Sequence, residues 1–108
     1  MAEVIVVASM KARAGQEEAV LAGLAEAAAH THEEAGCLLY ALHRSPDDPA
    51  RIVLIERWES RAALDEHFTK PYIQVLGEQV HLLDGAADVH FLEPVPAGDV
   101  GKGRLGAS

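Results

Sequence analysis

Residues 52–72 read IVLIERWESRAALDEHFTKPY, and this stretch decides the fold. Its first part is an apolar, β-branched run, Ile52-Val53-Leu54-Ile55, which leads into Glu56 and Trp58. A strand alternates faces with period two, so that carboxylate and that indole share one face. A polar turn follows, then Arg61 to Thr69, where Leu64 and Phe68 lie one helical turn apart and His67 sits beside them. Pro71, with Tyr72 behind it, opens a second helical segment, because proline suits a first helical turn. Ionisable and aromatic groups this close to an apolar strand need partners or a pocket, so the segment predicts a small-molecule cavity.

Working outward, Val4 to Met10 (VIVVASM) is almost continuously apolar and reads as a strand buried on both faces. After Ala14-Gly15, the Ala-, Glu- and Leu-rich stretch from Gln16 to about Glu34 predicts a helix. Val20 or Leu21, Leu24 and Ala28 form its inward stripe, and Glu17, Glu18, Glu26 and Glu33 face water. Gly36 is expected to end it in left-handed geometry. Cys37 to Arg44 reads as a second strand, Ser45 to Ala50 as a turn, and Arg51 to Glu59 as a third strand antiparallel to the second. The helical segment from Pro71 carries Ile73, Leu76, Val80 and Leu83 on one stripe as far as the break at Asp84-Gly85. Asp88 to Glu93 then makes a fourth strand.

The resulting order, β-α-β-β-α-β, is the split βαβ arrangement of a ferredoxin-like α+β fold with a four-stranded antiparallel sheet. Residues 1–93 are expected to form the domain, and 94–108, rich in Gly and Pro, a flexible tail or an arm lying on a partner. Two helices on one face leave the other uncovered, yet the strands show little polar alternation. That predicts a homodimer, sheet against sheet.

The bulk numbers narrow the partners. A chain of 108 residues is one domain, large enough to need no metal or disulfide staple. A formal net charge of −8 argues against nucleic acid and against an anionic membrane surface. Cys37 is the only cysteine, so no internal disulfide can form, which fits a cytoplasmic location. The N-terminus makes a poor signal peptide, and nothing approaches the ~20 apolar residues of a membrane span. His30 and His32 are two apart on a helix and point in different directions, and no zinc or facial-triad spacing occurs, so no metal is expected. His43 and His90 read as structural strand histidines, and Cys37 as a small buried hydrophobe.

Four segments carry a family resemblance. They are Ala14-Gly15, then Glu34-Ala35-Gly36-Cys37-Leu38 with Tyr40, then Glu56-Arg57-Trp58-Glu59, then Leu64-Asp65-Glu66-His67-Phe68 with Pro71-Tyr72. In this order and spacing, over roughly residues 3 to 93, the chain resembles the antibiotic biosynthesis monooxygenase family of dimeric α+β barrels, which includes cofactor-free quinol monooxygenases. The resemblance implies oxidation of a quinol or polyphenolic aromatic by dioxygen without flavin or metal, since an electron-rich phenolate can itself reduce dioxygen. It implies His67 as acid/base and Tyr72 as a donor that orients the ring oxygen, both catalytic. Trp58 becomes a cavity wall, grouped with Glu56 and Tyr40 as substrate-binding. In the haem-degrading branch of these barrels, the positions of the strand-one Asn, the helix-two Trp and the proximal His correspond here to Ala8, His67 and Leu76. The axial ligand is missing, so no haem is expected.

Each candidate also has a plainer role. In that reading His67 only bonds a neighbouring backbone group, Tyr72 caps the core, and Glu56 and Trp58 pin the barrel or its dimer interface. If the turn closes with Ser45 opposite Arg51, Tyr40 lies across from Glu56 and Leu38 across from Trp58. Arg57 should point away from Trp58, which leaves no Asn or Arg aimed at the cavity to stabilise an oxyanion. The alternatives are a dimeric small-molecule-binding or stress-response module without turnover, and an isomerase of a small phosphorylated metabolite.

Overall fold

A computed structural model describes residues 2–106. Strand β3 (Arg51–Trp58) lies between β1 (Val4–Lys11) and β2 (Cys37–Arg44), and β4 (Asp88–Leu92) borders β1. The order β2-β3-β1-β4 is antiparallel throughout. Helices α1 (Glu17–Thr31), α2 (Arg61–His67) and α3 (Pro71–Gly77) cover one face, which is the ferredoxin-like α+β architecture that the element order predicts. Period two governs β3. Ile52, Leu54, Glu56 and Trp58 are all buried beneath the helices, whereas Arg51, Val53 and Ile55 are half-buried on the other face. Val6, Ala8 and Met10 from β1 and Val20 and Leu24 from α1 complete the core.

Strand β1 is therefore buried on the helix side, while Val7 and Ser9 stay half-buried on the second face. That face carries Ile5, Val7, Leu39, Ala41, Val53 and Ile55 with no helix above it. The tail after β4 returns towards one end of it. Arg57, 6% exposed, donates to both Glu3 oxygens at 3.0 and 2.8 Å and to the Gly106 carbonyl at 2.9 Å. Among the described residues no helix is long and apolar enough to cross a membrane.

Four local expectations need correction. Helix α1 stops at Thr31 rather than about Glu34, and the Thr31 hydroxyl donates back to the Ala27 carbonyl at 2.8 Å. Gly36 is not a left-handed cap, since it is absent from the positive-φ glycines. It is a point of close approach: its carbonyl accepts from the Glu59 N–H at 2.9 Å, and a Cβ there would overlap the Ala63 Cβ on α2. The β2–β3 register matches at Tyr40 and Glu56, but Leu38 is an extra, 46% exposed residue, so Cys37 and not Leu38 faces Trp58. Finally, α3 ends at Gly77, and a single 3₁₀ turn, Val80–Leu82, brings Leu83 into a bridge with Ala12.

The Gly36 contact yields a stability prediction. Gly36→Ala forces α2 away from the β2 entry and costs about 1–3 kcal/mol, as overpacking does. Urea denaturation reads the shift. A variant as stable as the parent would mean that α2 yields without strain.

Candidate active site

Helix α2 starts directly after β3 because the Ser60 side chain accepts from the Ala63 N–H at 3.1 Å, an N-cap that turns the chain sharply over the sheet. Leu64 and His67, three residues apart, then share the inward side of α2. His67 is 2% exposed, with its ring 4.5 Å from that of Trp58 and 5.6 Å from that of Tyr40. Its Nδ1 lies 2.8 Å from Oε2 of Glu34, in the loop before β2, and the Tyr72 hydroxyl donates to the same oxygen at 2.5 Å. A carboxylate only accepts, so the imidazole must carry its proton on Nδ1. In the neutral ring the lone pair then lies on Nε2.

Beside this ring lies a cavity of about 260 Å³ between the sheet, α1 and the α3 region. Val6, Ala8, Leu24, Leu54 and Leu76 make apolar walls, and His67, Glu56, Tyr40 and Gln79 supply polar groups. Nε2 has no protein partner. Since no buried side-chain nitrogen or oxygen among the described residues lacks one, Nε2 meets open space, and His67 lines this cavity.

Glu56 is 6% exposed, and its Oε1 accepts from Trp58 Nε1 at 2.9 Å. Burial pushes its carboxyl up to about 7; the Trp58 hydrogen bond opposes the shift, and the Glu34 charge adds to it. Burial also raises the Tyr40 phenol well above its usual range, with the Glu56 charge as a further cause. The Tyr72 phenol is raised by burial and then by its bond to Glu34. Burial, followed by the charges of Glu34 and Glu56, pushes the Cys37 thiol up to about 11, which suits an inert side chain.

Of the five candidates read from the sequence, His67, Glu56 and Tyr40 line the cavity together. Tyr72 does not. Its ring stacks on His30 at 5.0 Å, on the far side of Glu34, and its hydroxyl is committed there. Tyr72 is not among the residues lining the cavity, and its hydroxyl bonds the carboxylate oxygen that also contacts His67. Trp58 is fully buried behind His67 and is a support rather than a wall. Glu34 went unrecognised as a site residue, although it stands in the segment that carries the family resemblance. His43 and His90 are exposed on the second face, His90 paired with Asp88 at 3.2 Å. Among the described residues no group of three His, Cys, Asp or Glu side chains is placed to hold a metal ion.

The family model for antibiotic biosynthesis monooxygenase matches residues 3–79. The chain belongs to that family. It is 36% identical over 93 residues to Rv0793 of Mycobacterium tuberculosis, a candidate monooxygenase by name, spanning 85% of this chain and 91% of that one. The solved structure of Rv0793 superposes with a TM-score of 0.83 at 35% identity, covering 90% of this chain and 99% of that one. SO0527 of Shewanella oneidensis gives 0.80, also at 35% identity, over 85% and 90% of the two chains. A solved antibiotic biosynthesis monooxygenase gives 0.81 at 29% identity, over 86% and 99%. Within this family, the Glu34–His67 pair beside an apolar hollow is the feature of this chain with most chemical content.

Proposed function

We propose that this chain is a cofactor-independent monooxygenase that oxidises a quinol or polyphenolic aromatic with dioxygen, and that His67 Nε2 is the base. One observation carries the reading: a buried imidazole, bonded through Nδ1 to Glu34, lines an apolar cavity with its Nε2 unpaired by the protein. Nε2 takes the proton of a ring hydroxyl, and the electron-rich anion gives one electron to dioxygen. The two radicals join as a carbon–oxygen bond, and the resulting peroxide is protonated. Its O–O bond breaks as the proton on the same carbon leaves, so one oxygen stays as a carbonyl and the other departs as water. The apolar walls keep bulk water from the charged intermediate. An isomerase of a phosphorylated metabolite fits less well, because the cavity lining contains neither Lys nor Arg.

The test is dioxygen uptake across a panel of hydroquinones and naphthohydroquinones, using isotopically heavy dioxygen. The expected result is one dioxygen consumed per quinol and one heavy oxygen retained in the product. No turnover on the whole panel would favour the binding-module alternative.

The bare second face supports a second proposal of this reading, a homodimer packed sheet to sheet. Val7, Val53 and Ile55 are only half-buried on a face that no helix covers. Sedimentation at micromolar concentration is expected to give a dimer, and Ile55→Glu a monomer. A monomeric parent chain would refute the packing.

A further inference from the structure

No Asn, Arg or Lys lines the cavity, and its polar groups besides His67 are Glu56, Tyr40 and Gln79. Of these, Glu56 has a carboxyl oxygen left over to meet charge developing on the substrate ring. Its Oε1 is occupied by the Trp58 N–H at 2.9 Å, and Oε2 has no protein partner. By the same reasoning as for His67 Nε2, Oε2 opens into the cavity. We propose that Glu56 acts as a neutral carboxylic acid whose O–H donates a hydrogen bond to a second oxygen of the bound ring, making it a catalytic residue alongside His67. This rests on the quinol-oxidation reading and narrows it: the substrate carries two conjugated ring oxygens, one acidic towards Nε2 and one accepting from Glu56. As Nε2 removes the first proton, negative charge spreads through the ring to the second oxygen, where the Glu56 O–H meets it. No bond is made or broken at Glu56.

The surroundings favour the neutral form. Tyr40 and Cys37 on β2, Glu34 before it and His67 on α2 are the ionisable groups about Glu56, and none is a lysine or arginine. Burial, the largest influence, raises the carboxyl from an ordinary 4.5 to about 7. Between those values the folded chain keeps a proton that the unfolded chain has released. The contribution of this group to stability therefore falls as pH rises through that window.

Glu56→Gln is the deciding variant, because its amide keeps an acceptor for Trp58 and a donor for the cavity. With menadiol (a naphthohydroquinone) as substrate, the parent is expected to lose activity above about pH 7 as Glu56 ionises. Glu56→Gln should keep kcat/KM within a few-fold of the parent and lose that alkaline limb. Glu56→Leu should lose at least tenfold. Infrared difference spectra, parent minus Glu56→Gln at pH 6, should contain a neutral-carboxyl band that disappears on titration through about pH 7. Urea midpoints of the two should diverge over the same range. Absence of that band, or equal loss of activity in the Gln and Leu variants, would overturn the proposal. Failure of the base reading looks different: His67→Ala would then match the parent with the Glu56 band still in place.

Discussion

Replacing His67 with alanine is expected to lower kcat by roughly 10²–10⁴-fold, the usual contribution of a positioned general base. KM should change much less, because the apolar walls that hold the ring stay in place. The variant also leaves a buried hollow beside Trp58 and strips Glu34 of a donor, so the fold must be checked separately by circular dichroism. His67→Gln fills the space without supplying a base near neutral pH and should be as slow as His67→Ala. If either variant turns over at the parent rate, deprotonation by His67 is excluded.

The largest stability effect is expected at Trp58. It is fully buried, packs on His67 and holds Glu56 through its indole N–H. Trp58→Ala opens a cavity and costs about 3–5 kcal/mol, as truncation of a large buried aromatic does. It also leaves Glu56 Oε1 without its donor. A domain of this kind has about 5–15 kcal/mol in total, so the variant is expected to sit near the edge of folding at room temperature. Urea unfolding should show a lower midpoint at an unchanged slope. A loss below about 1 kcal/mol, the low end for buried-group deletions, would mean that Trp58 does not anchor the core.

Much of the fold was legible because its central strand obeys a simple period. Ile52, Leu54, Glu56 and Trp58 alternate with residues of the opposite face, and the turn at Ser45–Arg51 set the pairing of Tyr40 with Glu56. What escaped depends on contacts between distant parts of the chain. The bulge at Leu38 arises where Gly36 is pressed against α2, which no local pattern records. The end of α1 was placed too late because the residues after Thr31 are acceptable helix formers; the turns that replace the helix are set by tertiary context.

The candidate site divides the same way. His67, Glu56 and Tyr40 line the cavity together; the strand pairing sets Tyr40 beside Glu56, whereas a place for His67 in the cleft is what the family resemblance implies. Pro71 fixes the backbone before Tyr72 but not what the Tyr72 ring meets. Its partner, Glu34, is 38 residues away, and the same carboxylate reaches His67 across 33. A lone acid in a loop looks like solvated surface until the fold brings those two donors to it. The one available hint was its position within the segment ending at Tyr40.

In the proposed mechanism Glu34 fixes the His67 proton on Nδ1 and leaves Nε2 bare towards the cavity. Long-range proton–nitrogen NMR of the histidine-labelled protein tests it directly. The expected result is a protonated Nδ1 and an unprotonated Nε2 whose resonance alone moves strongly when a hydroquinone is added, with the tautomer preference weakened in Glu34→Gln. A proton on Nε2 with Nδ1 bare, or an Nε2 resonance indifferent to added hydroquinone, would contradict it.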